Sequence, residues 1–102
     1  MICPVCAYPS LPFPPTNYYI CPCCGTEFGN DDEDRTHAEL RADWIEGGLP
    51  WFFREPPVDW NPIWQLIVGG YESDLPQQFR LVPFGVASQY VKHLDTGTPF
   101  WT

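Results

Sequence analysis

Four cysteines stand in two C-x-x-C pairs near the start of the chain: Cys3-Pro4-Val5-Cys6, and Cys21-Pro22-Cys23-Cys24 with Gly25 behind it. Two residues between paired cysteines let a tight turn aim both sulfurs at one point. Zinc takes four ligands in a tetrahedron, and thiolates are among its preferred ligands. Fourteen residues lie between the pairs, close to the spacing of a zinc ribbon. Proline in second position stiffens each turn, and Gly25 can take the positive φ that such a turn often requires. Ala7 holds the equivalent place after the first pair, where a side chain at positive φ costs about 1 kcal/mol. The expectation is one Zn2+ held by Cys3, Cys6, Cys21 and Cys24. The same paired turns hold a single iron in rubredoxin-like electron carriers, and thiolates alone do not choose between the ions.

Four cysteine ligands fill the coordination sphere and leave no position for water or substrate. The metal is therefore expected to be structural, with its binding contributing directly to folding. Cys23 is the fifth cysteine. Neighbours in sequence cannot easily both reach one ion, so Cys23 beside Cys24 reads as a small buried residue of the turn rather than a ligand.

The other residues capable of chemistry form weaker patterns. The acidic run at residues 31–34, with Glu27 nearby, lacks the alternating oxygen donors of a calcium loop. It reads as a solvated segment that favours the start of a helix. A carboxylate-based enzymatic site there, with Glu27, Asp31 or His37 converging on a pocket, is the alternative. His37 and His93 have no H-x-x-x-H or H-E-x-x-H spacing. Ser10, Ser73 and Ser88 have no G-x-S-x-G context.

The run Cys21-Pro22-Cys23-Cys24-Gly25, continued by Glu27-Phe28-Gly29 and Asp31-Asp32, resembles the cysteine-rich CPCC family, small bacterial proteins of unknown function. Cys3-Pro4-Val5-Cys6, Leu40-Arg41 with Trp44, Trp60-Asn61-Pro62 and Gln65-Leu66 are similar to that family too, so the likeness covers about residues 1–68. The resemblance implies a cysteine-bound metal and a bacterial source. It brings no activity or catalytic residue with it.

The elements that must position these residues are short. Tyr18-Tyr19-Ile20 reads as a strand entering the second cysteine pair. Thr36 followed by Glu39 has capping-box spacing, and the helix it opens would turn His37, Leu40, Trp44 and Ile45 inward. Gly47-Gly48 would stop it. Asn61-Pro62 opens a second helix, with Ile63, Leu66 and Ile67 buried and Gly69-Gly70 as its end. Residues 79–82 read as a strand, and residues 86–94 as a strand or a short helix. The expected architecture is small α+β. It is a single domain over residues 1–102, with a zinc-ribbon-like part at 1–30, then two short helices and an irregular or β C-terminal part.

Composition limits the function. Aromatic residues make up 17% of the chain, which excludes a disordered chain and leaves rings in excess of what so short a chain can bury. The formal charge is −8 with five basic residues, no two adjacent. That is unsuited to a nucleic-acid backbone and better suited to a basic protein partner. No run of 18 apolar residues suggests a membrane span, and no basic-then-apolar leader is visible. Paired cysteines without an export signal point to metal rather than disulfides and to a reducing cytoplasm.

Overall fold

Turns rather than strands shape the cysteine-bearing part of the molecule. The computed structural model describes residues 1–77. The strand and helix expectations at residues 79–82 and 86–94, with Ser88 and His93, lie outside the described residues. The chain divides into two compact units, Met1–Pro56 and a second beginning at Pro57. The acidic run at residues 31–34 and the first helix lie in the same unit as the cysteines.

That helix, α1, spans His37–Glu46. The Thr36 hydroxyl accepts from the Glu39 N–H at 3.1 Å, and a Glu39 carboxylate oxygen accepts from the Thr36 N–H at 3.0 Å, the reciprocal capping box read from the sequence. Gly48, at φ 97°, ends the helix. Its N–H reaches Ile45 O, and the Leu49 N–H reaches Trp44 O, the two bonds of a Schellman motif. Of the expected inner face only Trp44 is buried, and Arg41 joins it. His37, Leu40 and Ile45 are half-buried.

In the second unit, α2 spans Pro62–Val68, with Pro62 in its first turn. Asn61 caps it, its side-chain oxygen accepting from the N–H groups of Ile63 and Trp64 at 3.1 and 3.2 Å. Gly70, at φ 90°, closes it with the same pair of bonds as Gly48. Gln65, Leu66 and Ile67 are buried, while Ile63 is half-buried. Gln65 tolerates burial because its side-chain oxygen accepts from the Trp60 indole N–H at 3.1 Å. A 3-10 turn at Glu72–Asp74 follows and leads to the buried Leu75.

Extended pairing among the described residues comes down to one isolated antiparallel bridge, Ile20 with Glu27. The expected strand at residues 18–20 is not formed as such, because Asn17 and Tyr18 both take positive φ, 56° and 62°. They make a tight reversal in which the Tyr18 N–H donates to Phe28 O. The α+β expectation thus holds for the two helices and the N-terminal cysteine cluster, with almost no strand beside them. No helix among the described residues is long and apolar enough to cross a membrane.

Candidate metal centre

The two cysteine pairs sit on turns that repeat one hydrogen-bond pattern. In the first, the Ala7 N–H donates to Cys3 O and the Cys3 N–H to Tyr8 O, both at 2.9 Å. In the second, the Gly25 N–H donates to Cys21 O at 2.9 Å and the Cys21 N–H to Thr26 O at 3.0 Å. The residue after each pair has positive φ, 68° at Ala7 and 78° at Gly25. The conformation is therefore set by the turn and not by glycine, and Ala7 carries the backbone cost expected from its sequence position. At Gly25 a side chain would also meet the Phe52 ring, whose nearest carbon would lie 2.5 Å from an added Cβ.

The sulfurs converge. Cys3 and Cys24 Sγ are 3.9 Å apart, and Cys6 and Cys21 Sγ are 3.8 Å apart. All four ligand atoms lie within 4.8 Å of one another. Zinc–sulfur bonds of about 2.3 Å in a tetrahedron place sulfurs about 3.8 Å apart, so the Cys3–Cys24 and Cys6–Cys21 pairs match and modest contraction completes the set. A disulfide needs about 2.05 Å, and the cysteines are unlinked. Cys3, Cys6 and Cys21 are completely buried and Cys24 is half-buried. Cys23 is buried as well but stands outside the converging four.

Crowding dominates the protonation of the cluster. The hydrogen bond from the Cys21 thiol holds Cys24 far below the ordinary thiol range, and that same bond pushes Cys21 far above it. Burial drives Cys6 upward, and the hydrogen bond with Cys21 lowers Cys3. Four sulfurs this close hold each other's charge only by sharing protons. A divalent cation replaces those protons with a stronger common partner. The donor set fits such a cation: four cysteine sulfurs, three of them on completely buried residues, with no oxygen ligand among them.

No family model, curated protein or solved structure matches the chain. What the site can do therefore rests on its own chemistry.

Two supporting residues were not apparent from the sequence. Arg41 of α1 is buried and directs its guanidinium at the first turn, donating to Val5 O at 2.8 Å and Pro4 O at 2.9 Å. It ties the helix to the two residues between Cys3 and Cys6. The available signal was its spacing, four after His37 and three before Trp44, which places a charge on an otherwise inward stripe. Thr26 is buried with its hydroxyl 3.3 Å from Cys24 Sγ, and this hydrogen bond helps to hold Cys24 low.

The acidic segment is organised differently from a catalytic site. Asp31 accepts from the Glu27 N–H at 2.8 Å, and Asp32 accepts from the Gly29 N–H at 2.7 Å. The other oxygen of Asp32 meets His37 Nε2 at 3.1 Å. The hydrogen bond from His37, then that from the Gly29 N–H, holds the Asp32 carboxyl below its usual range. It stays ionised and does not act as an acid near neutrality. The depression here, about 600 Å3, is lined by the contiguous stretch from Asp32 to His37 and by Glu39, without Glu27 or Asp31. His37 itself packs edge-on to the Phe28 ring, centroids 6.0 Å apart. The carboxylates hold turns and a helix start.

Proposed function

We propose that the chain is a zinc-stabilised protein-interaction module. One Zn2+ on Cys3, Cys6, Cys21 and Cys24 joins the two turns in the manner of a zinc ribbon with little strand. The observation that carries this reading is the convergence of four cysteine sulfurs with spacings suited to tetrahedral zinc. A site closed by four thiolates supports folding rather than hydrolysis, which moves function to the protein surface. That surface is acidic, and aromatic rings remain exposed on it, features suited to a protein partner. Membership of the CPCC proteins and a reducing, cytoplasmic setting for the thiolates belong to the same proposal.

Elemental analysis of the purified full chain, with its visible spectrum, tests the metal. One zinc per chain in colourless protein is the expected result. Red protein with one iron per chain would establish the rubredoxin-like electron carrier instead. A metal content that persists when all four cysteines are replaced would refute both.

A further inference from the structure

The residues that follow α1 return to the second cysteine turn and build a surface on it. The Phe52 N–H donates to Cys23 O and the Phe53 N–H to Pro22 O, both at 3.0 Å. These bonds hold two aromatic residues beside the metal-binding turn while their side chains stay in solvent, 59% exposed at Phe52 and 53% at Phe53. Across from them the reversal at Asn17-Tyr18 presents Tyr18, 67% exposed, and Ile20, 41% exposed. Tyr18, Tyr19, Ile20, Pro22, Phe52 and Phe53 line an apolar concavity of about 530 Å3. Aromatic residues whose backbone is already held have only side-chain torsions left to lose on binding, which favours their use as anchors.

The charge around this concavity is uneven. At one end the Tyr18 ring lies against Gly29, where a Cβ would be 3.6 Å from the ring. The Gly29 N–H is held by Asp32, and Asp31 holds the neighbouring Glu27 N–H. Residues 31–34, all acidic, therefore begin directly beside the Tyr18 end. At the other end the Arg54 guanidinium lies over the Phe53 ring, 5.1 Å from its centroid.

We infer that this concavity seats a peptide segment of another protein, one with a large apolar side chain between the Tyr18 and Phe52 sides and Lys or Arg residues against the acidic turn. This rests on the interaction-module reading and gives it a surface and a partner chemistry. Charge complementarity selects the occupant. A basic segment is attracted to residues 31–34, whereas a second copy brings another formal charge of −8 and is repelled.

The test is selection of random peptides displayed on phage against the zinc-loaded full chain. Synthetic copies of the enriched peptides are then measured by titration against the wild type and variants. The expected peptides carry an aromatic or long aliphatic residue with Lys or Arg within a few positions. Phe53→Ala weakens them at least about tenfold. The double substitution Glu33→Gln with Asp34→Asn, at exposed positions, weakens them severalfold and flattens their salt dependence. Tyr18→Asn, which tolerates the positive φ at that position, reports from the facing side of the concavity if Phe53→Ala loses zinc. No enrichment, enriched peptides without basic residues, or binding unchanged by these substitutions overturns the inference. So does a dimer of the chain that Phe53→Ala dissolves, which would make a second copy the occupant. Peptides that bind zinc-loaded chain elsewhere remove this surface but leave the interaction module standing. Binding here by a chain that holds no zinc removes the metal reading and leaves the surface.

Discussion

Replacing Arg41 with Lys tests whether the first cysteine turn depends on the helix behind it. The guanidinium is buried, and two of its nitrogens reach two different carbonyls, Val5 O and Pro4 O. An ammonium on a thinner stem cannot span both acceptors in the same plane. Hydrogen bonds to charged groups contribute about 1.5–3 kcal/mol each, and a buried carbonyl left without a donor costs about 1–3 kcal/mol. Losing one of the two contacts therefore costs about 2 kcal/mol. Because the metal site forms with the fold, most of that loss should appear as weaker zinc binding, roughly 30-fold at 1.4 kcal/mol per decade. Competition with a chromophoric chelator measures the affinity, and urea unfolding followed by tryptophan fluorescence measures stability. The expected pattern is a parallel decline in both, with one zinc still bound at saturation. Arg41→Met, which removes the charge and both bonds, should be worse than Arg41→Lys. Zinc affinity in Arg41→Lys within about threefold of the wild type would show that α1 packs on the turn without positioning it.

Three further perturbations separate the remaining claims. Cys24→Ser is expected to lose stoichiometric zinc and the fold of the first unit, whereas Cys23→Ser keeps one zinc per chain; equal zinc loss in the two would refute the ligand assignment. Gly25→Ala and Gly48→Ala both place a side chain at positive φ, at a cost of about 1–2 kcal/mol. Only Gly25 has the Phe52 ring against it, so Gly25→Ala should unfold at lower urea and release zinc more readily; equal midpoints would mean that the ring moves aside freely. Asp32→Asn removes the carboxylate that meets His37 and the Gly29 N–H. The folded carboxyl lies below its unfolded value, so its contribution is complete above the ordinary aspartate range near pH 4 and disappears as the pH falls through the lowered value. Thermal melts should therefore show a deficit for Asp32→Asn above about pH 4 that shrinks as the pH falls below it; a deficit that keeps growing below that range would refute the assignment.

The sequence was most legible where one local rule decides the outcome. Thr36 with Glu39, Asn61 with Pro62, and the paired glycines after each helix act within a single turn, and each formed as expected. The cysteine spacing was legible for the same reason, since a two-residue gap closes a turn whatever surrounds it. The strand at residues 18–20 was not, although tyrosine and isoleucine favour extended backbone. Propensity describes a residue on a sheet, and here one bridge offers no sheet to join. The chain needs a reversal before Cys21, and Asn17-Tyr18 supplies it at positive φ.

Arg41 and Gln65 reveal a second limit. Both are polar residues at buried positions, and what makes burial tolerable is a partner elsewhere: the carbonyls of Pro4 and Val5, and the indole of Trp60. Periodicity predicts apolar residues at such places and contains no record of distant acceptors. The metal centre depends on the same kind of partner. Four thiolates can be named from their spacing, but a tetrahedron also requires the two turns to be held in place against the mutual repulsion of their sulfurs. Backbone bonds shape each turn from within. Arg41 holds the first from α1, and the segment at Phe52-Phe53, in the chain that follows α1, holds the second. The helix that Thr36 caps is therefore part of what holds the cysteine cluster together, although none of the four cysteines lies on it.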